Sequence, residues 1–287
     1  MNDYERTLEV FRETVTSVAD EVPMARAALL VAQTEYPEID VDAYERRIQD
    51  VAETLGQQLS REALRLTAKR TVQTANQLLF RELGFRGNAE HYDDARNLYL
   101  NWVLDERRGI PVSLAIVYVE VCQRAGLDVR AVGLPGHVIC RYTPPDAELD
   151  ADSLLVDVFN GGRLLTQRDC QVLVRNTFGA RVPFKAHYLE SLAPRQVVQR
   201  LLHNLKAGYL QRGDEERAAR MIDLLLALYP WDLDEIRDRG MLRERLGDVR
   251  SALDDLEQYV RYRSEARDIQ TVAETVRSLR RHAGDER

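Results

Sequence analysis

No stretch of this 287-residue chain approaches the roughly 18 to 20 consecutive apolar residues that a membrane-crossing helix needs. The opening MNDYERTLEVF also lacks a basic head leading into an apolar run. These absences argue against a membrane span and against export. Cysteine is scarce: Cys122, Cys140 and Cys170 are odd in number, and none stands in a C-x-x-C pair that would hold zinc or a redox disulfide. That usage fits a reducing cytoplasm. Glycine and proline are sparse, at 15 and 9, and no low-complexity tract occurs, so disorder is not indicated. A surplus of positive charge is lacking too. The net charge of -7 would repel phosphate backbones, and the arginines interleave with Glu and Asp in segments such as Arg237 to Arg250. Nucleic acid is therefore not an expected partner.

What is present is a length sufficient for two domains and an ordinary globular balance, 45% hydrophobic and 30% charged. From Asp3 to about Glu106 apolar residues recur at helical spacing, as in Leu8, Phe11, Val15 and Val18 and again in Leu55, Leu59 and Leu64. Breaks fall near Pro23, at Tyr36-Pro37-Glu38 and at Leu83 to Asn88. Asp40 or Asp42 is expected to cap the helix that begins VDAYERRI, and Ser60 to cap the next one. A further helix is expected from Pro111 to Arg124, closed by Ala125-Gly126.

The pattern then changes to short β-branched runs, Val129 to Val132, Val138 to Tyr142, Leu154 to Phe159 and Arg163 to Leu165, which read as antiparallel strands. Thr143-Pro144-Pro145-Asp146 is a surface loop between two of them, and Asn160-Gly161-Gly162 a tight hairpin turn.

Beyond Pro194 the chain repeats itself. Gly213-Asp214 returns as Gly247-Asp248, Ala218 as Ala252, Ile222 as Leu256 and Leu225 as Tyr259, each 34 residues on, which is the period of tetratricopeptide helix pairs. The first unit carries Tyr209 before its glycine and Pro230 after its second helix. The second has Arg243 and Ser264 at those places and reads as a degenerate copy, with Arg267 to His282 as a capping helix. The chain thus divides into two expected domains: residues 1–194, a helical segment plus a mixed core, and residues 195–287, the helical repeats.

Candidate chemistry centres on the stretch GIPVSLA. Pro111 suits a helix's first turn, which puts Ser113 there as well, where a serine is commonly a cap. His137 follows Gly133-Leu134-Pro135-Gly136 at the mouth of a strand. Asp157 lies inside the apolar run Leu154 to Phe159, where a carboxylate is costly to bury unless a hydrogen-bonding or positive group meets it. An imidazole on the neighbouring strand would meet that need.

This order resembles the transglutaminase-like superfamily of papain-type thiol enzymes, carried by GIPVSLAIVYVEVCQRAGLDVRAVGLPGHVICRY and by VDVFNGG. With Arg96-Asn97-Leu98-Tyr99-Leu100 upstream and RLLHNLK at Arg200 to Lys206, it looks more narrowly like the bacterial SirB-type branch, which joins such a core to tetratricopeptide repeats. The resemblance covers roughly residues 40 to 287. It implies an α+β fold: a helical amino-terminal segment, a transglutaminase-like core with a small antiparallel sheet, and carboxy-terminal helical repeats. It also places Ser113 where the superfamily has its catalytic Cys, His137 at the base and Asp157 at the residue that orients the base. The serine is a departure. A hydroxyl is much harder to ionise than a thiol, and would need proton removal by His137 concerted with attack.

No other cysteine substitutes. Cys122 is half a turn out of phase with Ser113 and, at about 1.5 Å per residue, some 13 Å along the helix. Cys140 lies three residues beyond His137 and so on the opposite face of an alternating strand. Cys170 has no evident partner, and all three read as buried small hydrophobes. Asn97, and beside it Asn101, could supply an oxyanion donor, although for Asn97 a role in bracing the loop before the serine helix is favoured. Trp102 reads as packing. His91, His187, His203 and His282 show no metal-ligand spacing. No cofactor or metal is expected, and the repeats are expected to bind a protein or peptide. The preferred reading is a regulatory or interaction protein built on a retired thiol-enzyme core. The alternative is a Ser-His-Asp hydrolase or acyltransferase acting through Ser113.

Overall fold

The computed structural model describes residues 2–16, 22–63, 67–145, 147, 153–179 and 183–285. The helical positions expected at Val18 and Leu64 and the loop residue Asp146 lie outside the described residues. Helices α1 (Asp3–Thr16), α2 (Met24–Gln33), α3 (Val41–Arg61) and α4 (Ala68–Asn76) make the amino-terminal segment. The α2 sequence MARAALLVAQ is apolar almost all round and is buried along most of its length, as a helix enclosed by others must be. Asp40 caps α3 by accepting from the Ala43 amide at 3.0 Å. Ser60 does not cap the following helix. It lies within the last turn of α3 and donates back to the Gly56 carbonyl, while Thr67 caps α4 by accepting from the Arg70 amide.

A π-helical turn (Gln77–Glu82) leads to the two-residue β1 (Arg86–Gly87), and α5 (Leu100–Glu106) leads to β2 (Arg108–Gly109), which pairs with β1 in parallel. Helix α6 (Pro111–Arg124) follows and is the buried axis of the core, with eleven of its fourteen residues enclosed. Across it lies an antiparallel sheet in the order β3 (Asp128–Leu134), β4 (His137–Thr143), β5 (Leu154–Asp157), β6 (Arg163–Leu165). β3 and β4 extend beyond the expected runs at both ends, and β5 stops short of its own. Val158 and Phe159 fall outside β5 because the turn into β6 starts at Asp157, whose carbonyl accepts from the Gly162 amide. Helix α7 (Gln167–Phe178) covers the other face of the sheet, where Cys170 and Val174 join Val132, Leu134, Ile139, Leu155 and Leu165.

Five helices complete the chain: α8 (Pro194–Gln211), α9 (Glu215–Leu228), α10 (Leu233–Arg245), α11 (Val249–Tyr262) and α12 (Ile269–Asp285). The Gly-Asp repeat is a turn device used twice. Gly213 and Gly247 take φ of 73° and 83°, which L side chains rarely adopt, and let each helix end. Asp214 and Asp248 then cap the next helix by accepting from the Arg217 and Ser251 amides. The first pair is not a separate body. α8 packs on α2 and α6, α9 packs on α1, and their apolar residues belong to the same core as α6. Arg217 forks onto Glu35, Tyr4 donates to Asp223, and the hydroxyls of Tyr99 and Tyr209 meet in the interior. α11 and α12 instead share a smaller core of Ala252, Leu256, Tyr259, Val272, Val276 and Leu279.

Candidate functional site

The segment before α6 is held from both sides. Arg107 closes α5 with a left-handed backbone, and the paired β1 and β2 strands carry Gly109 under Asn88, whose amide donates to the Gly109 carbonyl at 2.9 Å. Ser113 then occupies the third position of α6, fully enclosed. Its Oγ accepts from the Ile110 amide at 3.1 Å and lies within donating distance of the carbonyls of Asn97, at 2.5 Å, and Ile110, at 3.1 Å. A methyl group at Gly109 would stand 2.7 Å from that oxygen. The hydroxyl is thus packed among backbone groups, and none of its hydrogen bonds goes to His137.

His137 and Asp157 do come together. Pro135-Gly136 turns the chain between β3 and β4, with Gly136 at φ 71° as the third residue of such a turn requires. A side chain at Gly136 would also strike Thr177 of α7 at 2.5 Å. His137 therefore opens β4 opposite Leu134, and its Nε2 lies 3.0 Å from Asp157 Oδ1. Asn160 donates to the other carboxylate oxygen at 2.7 Å. Burial works to raise the Asp157 pKa, but the hydrogen bonds from His137 and Asn160 outweigh it and hold the group below the usual carboxylate range. The Phe159 ring meets the imidazole edge to face.

Asn97 is also fully buried, and its side chain is spent on the loop before the short 3-10 turn Ala95–Leu98. It donates to the His91 and Tyr92 carbonyls and accepts from Asn88. Asn101 is enclosed as well, with its Oδ1 unpartnered. Trp102 is partly buried against the core with Arg96 over its ring. The three cysteines are buried, and burial raises each thiol, Cys170 to about 11. Among the described residues no group of three or more His, Cys, Asp or Glu could hold a metal.

The imidazole lines a pocket of about 240 Å³ between the tip of α6, the Tyr92 to Ala95 loop and α8. At the helix tip its wall is Ile110, Pro111 and Val112 rather than Ser113. Across from them stand Arg200, Asn204 and Gly208 of α8 and Arg212 just past its end. The sequence does not single these out as site residues. Arg200 opens the RLLHNLK stretch, yet nothing in helical spacing says that this face of α8 looks onto His137.

This architecture defines a transglutaminase-like core joined to tetratricopeptide helices, and known proteins share it. The chain belongs to the transglutaminase-like superfamily, whose family model matches residues 42–203, and a tetratricopeptide repeat model matches residues 205–277. It is similar to the UPF0162 protein of Xylella fastidiosa strain 9a5c, 35% identical over 254 residues that span 86% of each chain. It is also similar to UPF0162 protein YchA of Escherichia coli K12, 28% identical across 84% of this chain and 87% of that one. A shorter match, 31% over 161 residues, joins 54% of this chain to 25% of mouse F-box only protein 21. Among the described residues no helix is long and apolar enough to cross a membrane.

Proposed function

We propose that this protein is a non-catalytic, protein-binding member of the superfamily, with Ser113 as a structural cap rather than a nucleophile. The observation that supports this is the enclosure of the Ser113 hydroxyl. It sits among three backbone partners, away from the wall that the imidazole lines, where Pro111 and Val112 present no nucleophile. A serine attacks an acyl group only when a base within hydrogen-bond reach takes its proton. Asn97, by its three hydrogen bonds to the loop, is assigned to bracing rather than to an oxyanion hole. The carboxy-terminal repeats supply the interaction surface, as tetratricopeptide helices commonly do.

One observation favours the hydrolase reading: the His137–Asp157 pair is intact and faces a pocket. A buried Asp157 needs such a partner whether or not chemistry occurs. A serine-directed fluorophosphonate separates the two readings. The expected result is no labelling of the unmodified protein. Labelling that disappears in both Ser113→Ala and His137→Ala would overturn the proposal.

A further inference from the structure

Arg200 is a half-buried cation held by backbone carbonyls. Arg217, Arg237 and Arg239 are each matched by carboxylates. Among the described residues no carboxylate pairs with Arg200, whose Nη2 donates only to the Leu134 and His137 carbonyls, at 2.8 and 3.0 Å. Its burial disfavours the charged form, and Tyr92 is the one neighbour that pushes the other way. A cation taken out of water without a counter-ion is costly unless something negative meets it.

The pocket beside it has the matching character. The amino-terminal end of the fourteen-residue α6 opens onto it, which favours negative charge. Of the other charged groups at its wall, Asp94 is occupied by a two-pronged pair with Arg96, and Arg212 is held over the rim by the Asp93 carbonyl, with the Asp93 side chain exposed beside it. With Asp94 matched by Arg96, the guanidinium groups of Arg200 and Arg212 face the single carboxylate of Asp93, which leaves one net positive charge at the wall. A single negative charge suits the site. At about 240 Å³ the space holds a group the size of one or two side chains, so a chain end enters it more readily than a continuous strand.

We propose that this pocket receives the free carboxy-terminal carboxylate of a partner peptide, with the Arg200 guanidinium as counter-ion and His137 alongside. The inference rests on the protein-binding reading above and names the chemistry of the partner.

The test uses the full chain, labelled with ¹⁵N, titrated separately with acetyl-Ala-Leu carrying a free carboxylate, the same peptide as its amide, acetyl-Ala-Glu-amide and inorganic phosphate. The expected result is saturable shifts of the Val112, Gly136 and His137 amides in the millimolar range by the free carboxylate, with each other probe at least about tenfold weaker. Arg200→Gln should abolish the response. Because that variant also loses two carbonyl contacts, Gly208→Leu is the second arm: a Cβ there meets nothing closer than Arg212 Nη1 at 3.8 Å, so the helix accepts a side chain at this position on the pocket wall. It should remove binding without lowering the melting temperature. No saturable shift, equal binding of acid and amide, equal binding of phosphate or of the glutamate side chain, or unchanged binding by Gly208→Leu would each overturn the proposal. Hydrolysis of the corresponding methyl ester, lost in His137→Ala, would instead overturn the non-catalytic reading and leave the carboxylate pocket standing.

Discussion

The hydroxyl of Ser113 lies 2.5 Å from the carbonyl of Asn97, sixteen residues earlier in the chain, and so ties the first turn of α6 to the 3-10 turn Ala95–Leu98. Ser113→Ala should therefore act on stability. Losing a buried hydroxyl that accepts from Ile110 and donates to a carbonyl is expected to cost about 1 to 3 kcal/mol in chemical denaturation. Gly109→Ala should be at least as damaging, since its added methyl would stand 2.7 Å from the same oxygen. A Ser113→Ala protein as stable as the parent would remove the capping role.

Asp157 sets a pH dependence. Its folded-state pKa is depressed, so the unfolded chain binds a proton more readily than the folded one. The stability this gives is fully present above the unfolded value of about 3.9 and is lost as pH falls through the lower folded value. Urea midpoints measured across that acid range should fall for the parent protein. Asp157→Asn should be less stable at neutral pH and show a shallower acid slope, and parallel curves would contradict this assignment.

Lys206 is enclosed between Glu235, at 2.7 Å, and Asp238, at 2.6 Å, and so joins α8 to α10. Glu235 also receives His203 at 3.3 Å. Burial tends to raise the Glu235 pKa, and the hydrogen bonds from His203 and Lys206 overcome it. Lys206→Met leaves that buried carboxylate with His203 alone, and roughly 3 kcal/mol of destabilisation is expected in thermal unfolding. Replacing Lys206 and Glu235 together by apolar residues should recover part of the loss.

Residues 195–287 expressed alone should not melt cooperatively. Val197, Val198, Leu201, Leu202 and Leu205 of α8 are buried within the core that also contains α2 and α6, and removing those helices would expose them to water. Arg195 would lose the Val15 carbonyl and Arg217 its fork on Glu35. Differential scanning calorimetry of the fragment decides it, and a sharp two-state transition would show that the repeats stand alone.

Much of the fold was legible because it depends on short-range chemistry. Two Gly-Asp pairs 34 residues apart mark the ends and starts of helices, since glycine alone readily takes the positive φ and aspartate caps the next helix. Pro135-Gly136 and Asn160-Gly161-Gly162 mark the strand turns for similar reasons, and a carboxylate within LLVDVF announces a partner on the next strand. Ser60 misled because serine is also tolerated in a helix, where it bonds backward to its own turn.

The facing of α6 was decided only by tertiary packing. Successive residues in a helix are separated by about 100°, so Pro111, Val112 and Ser113 point three different ways, and sequence order cannot say which one looks toward His137. Packing of α6 against the sheet, β2 and α8 turns Ser113 inward to Asn97 and leaves Pro111 and Val112 on the pocket wall. The placement of Arg200 beside that wall has the same origin. It comes from a helix more than sixty residues further along the chain, docked there because its apolar face must be buried.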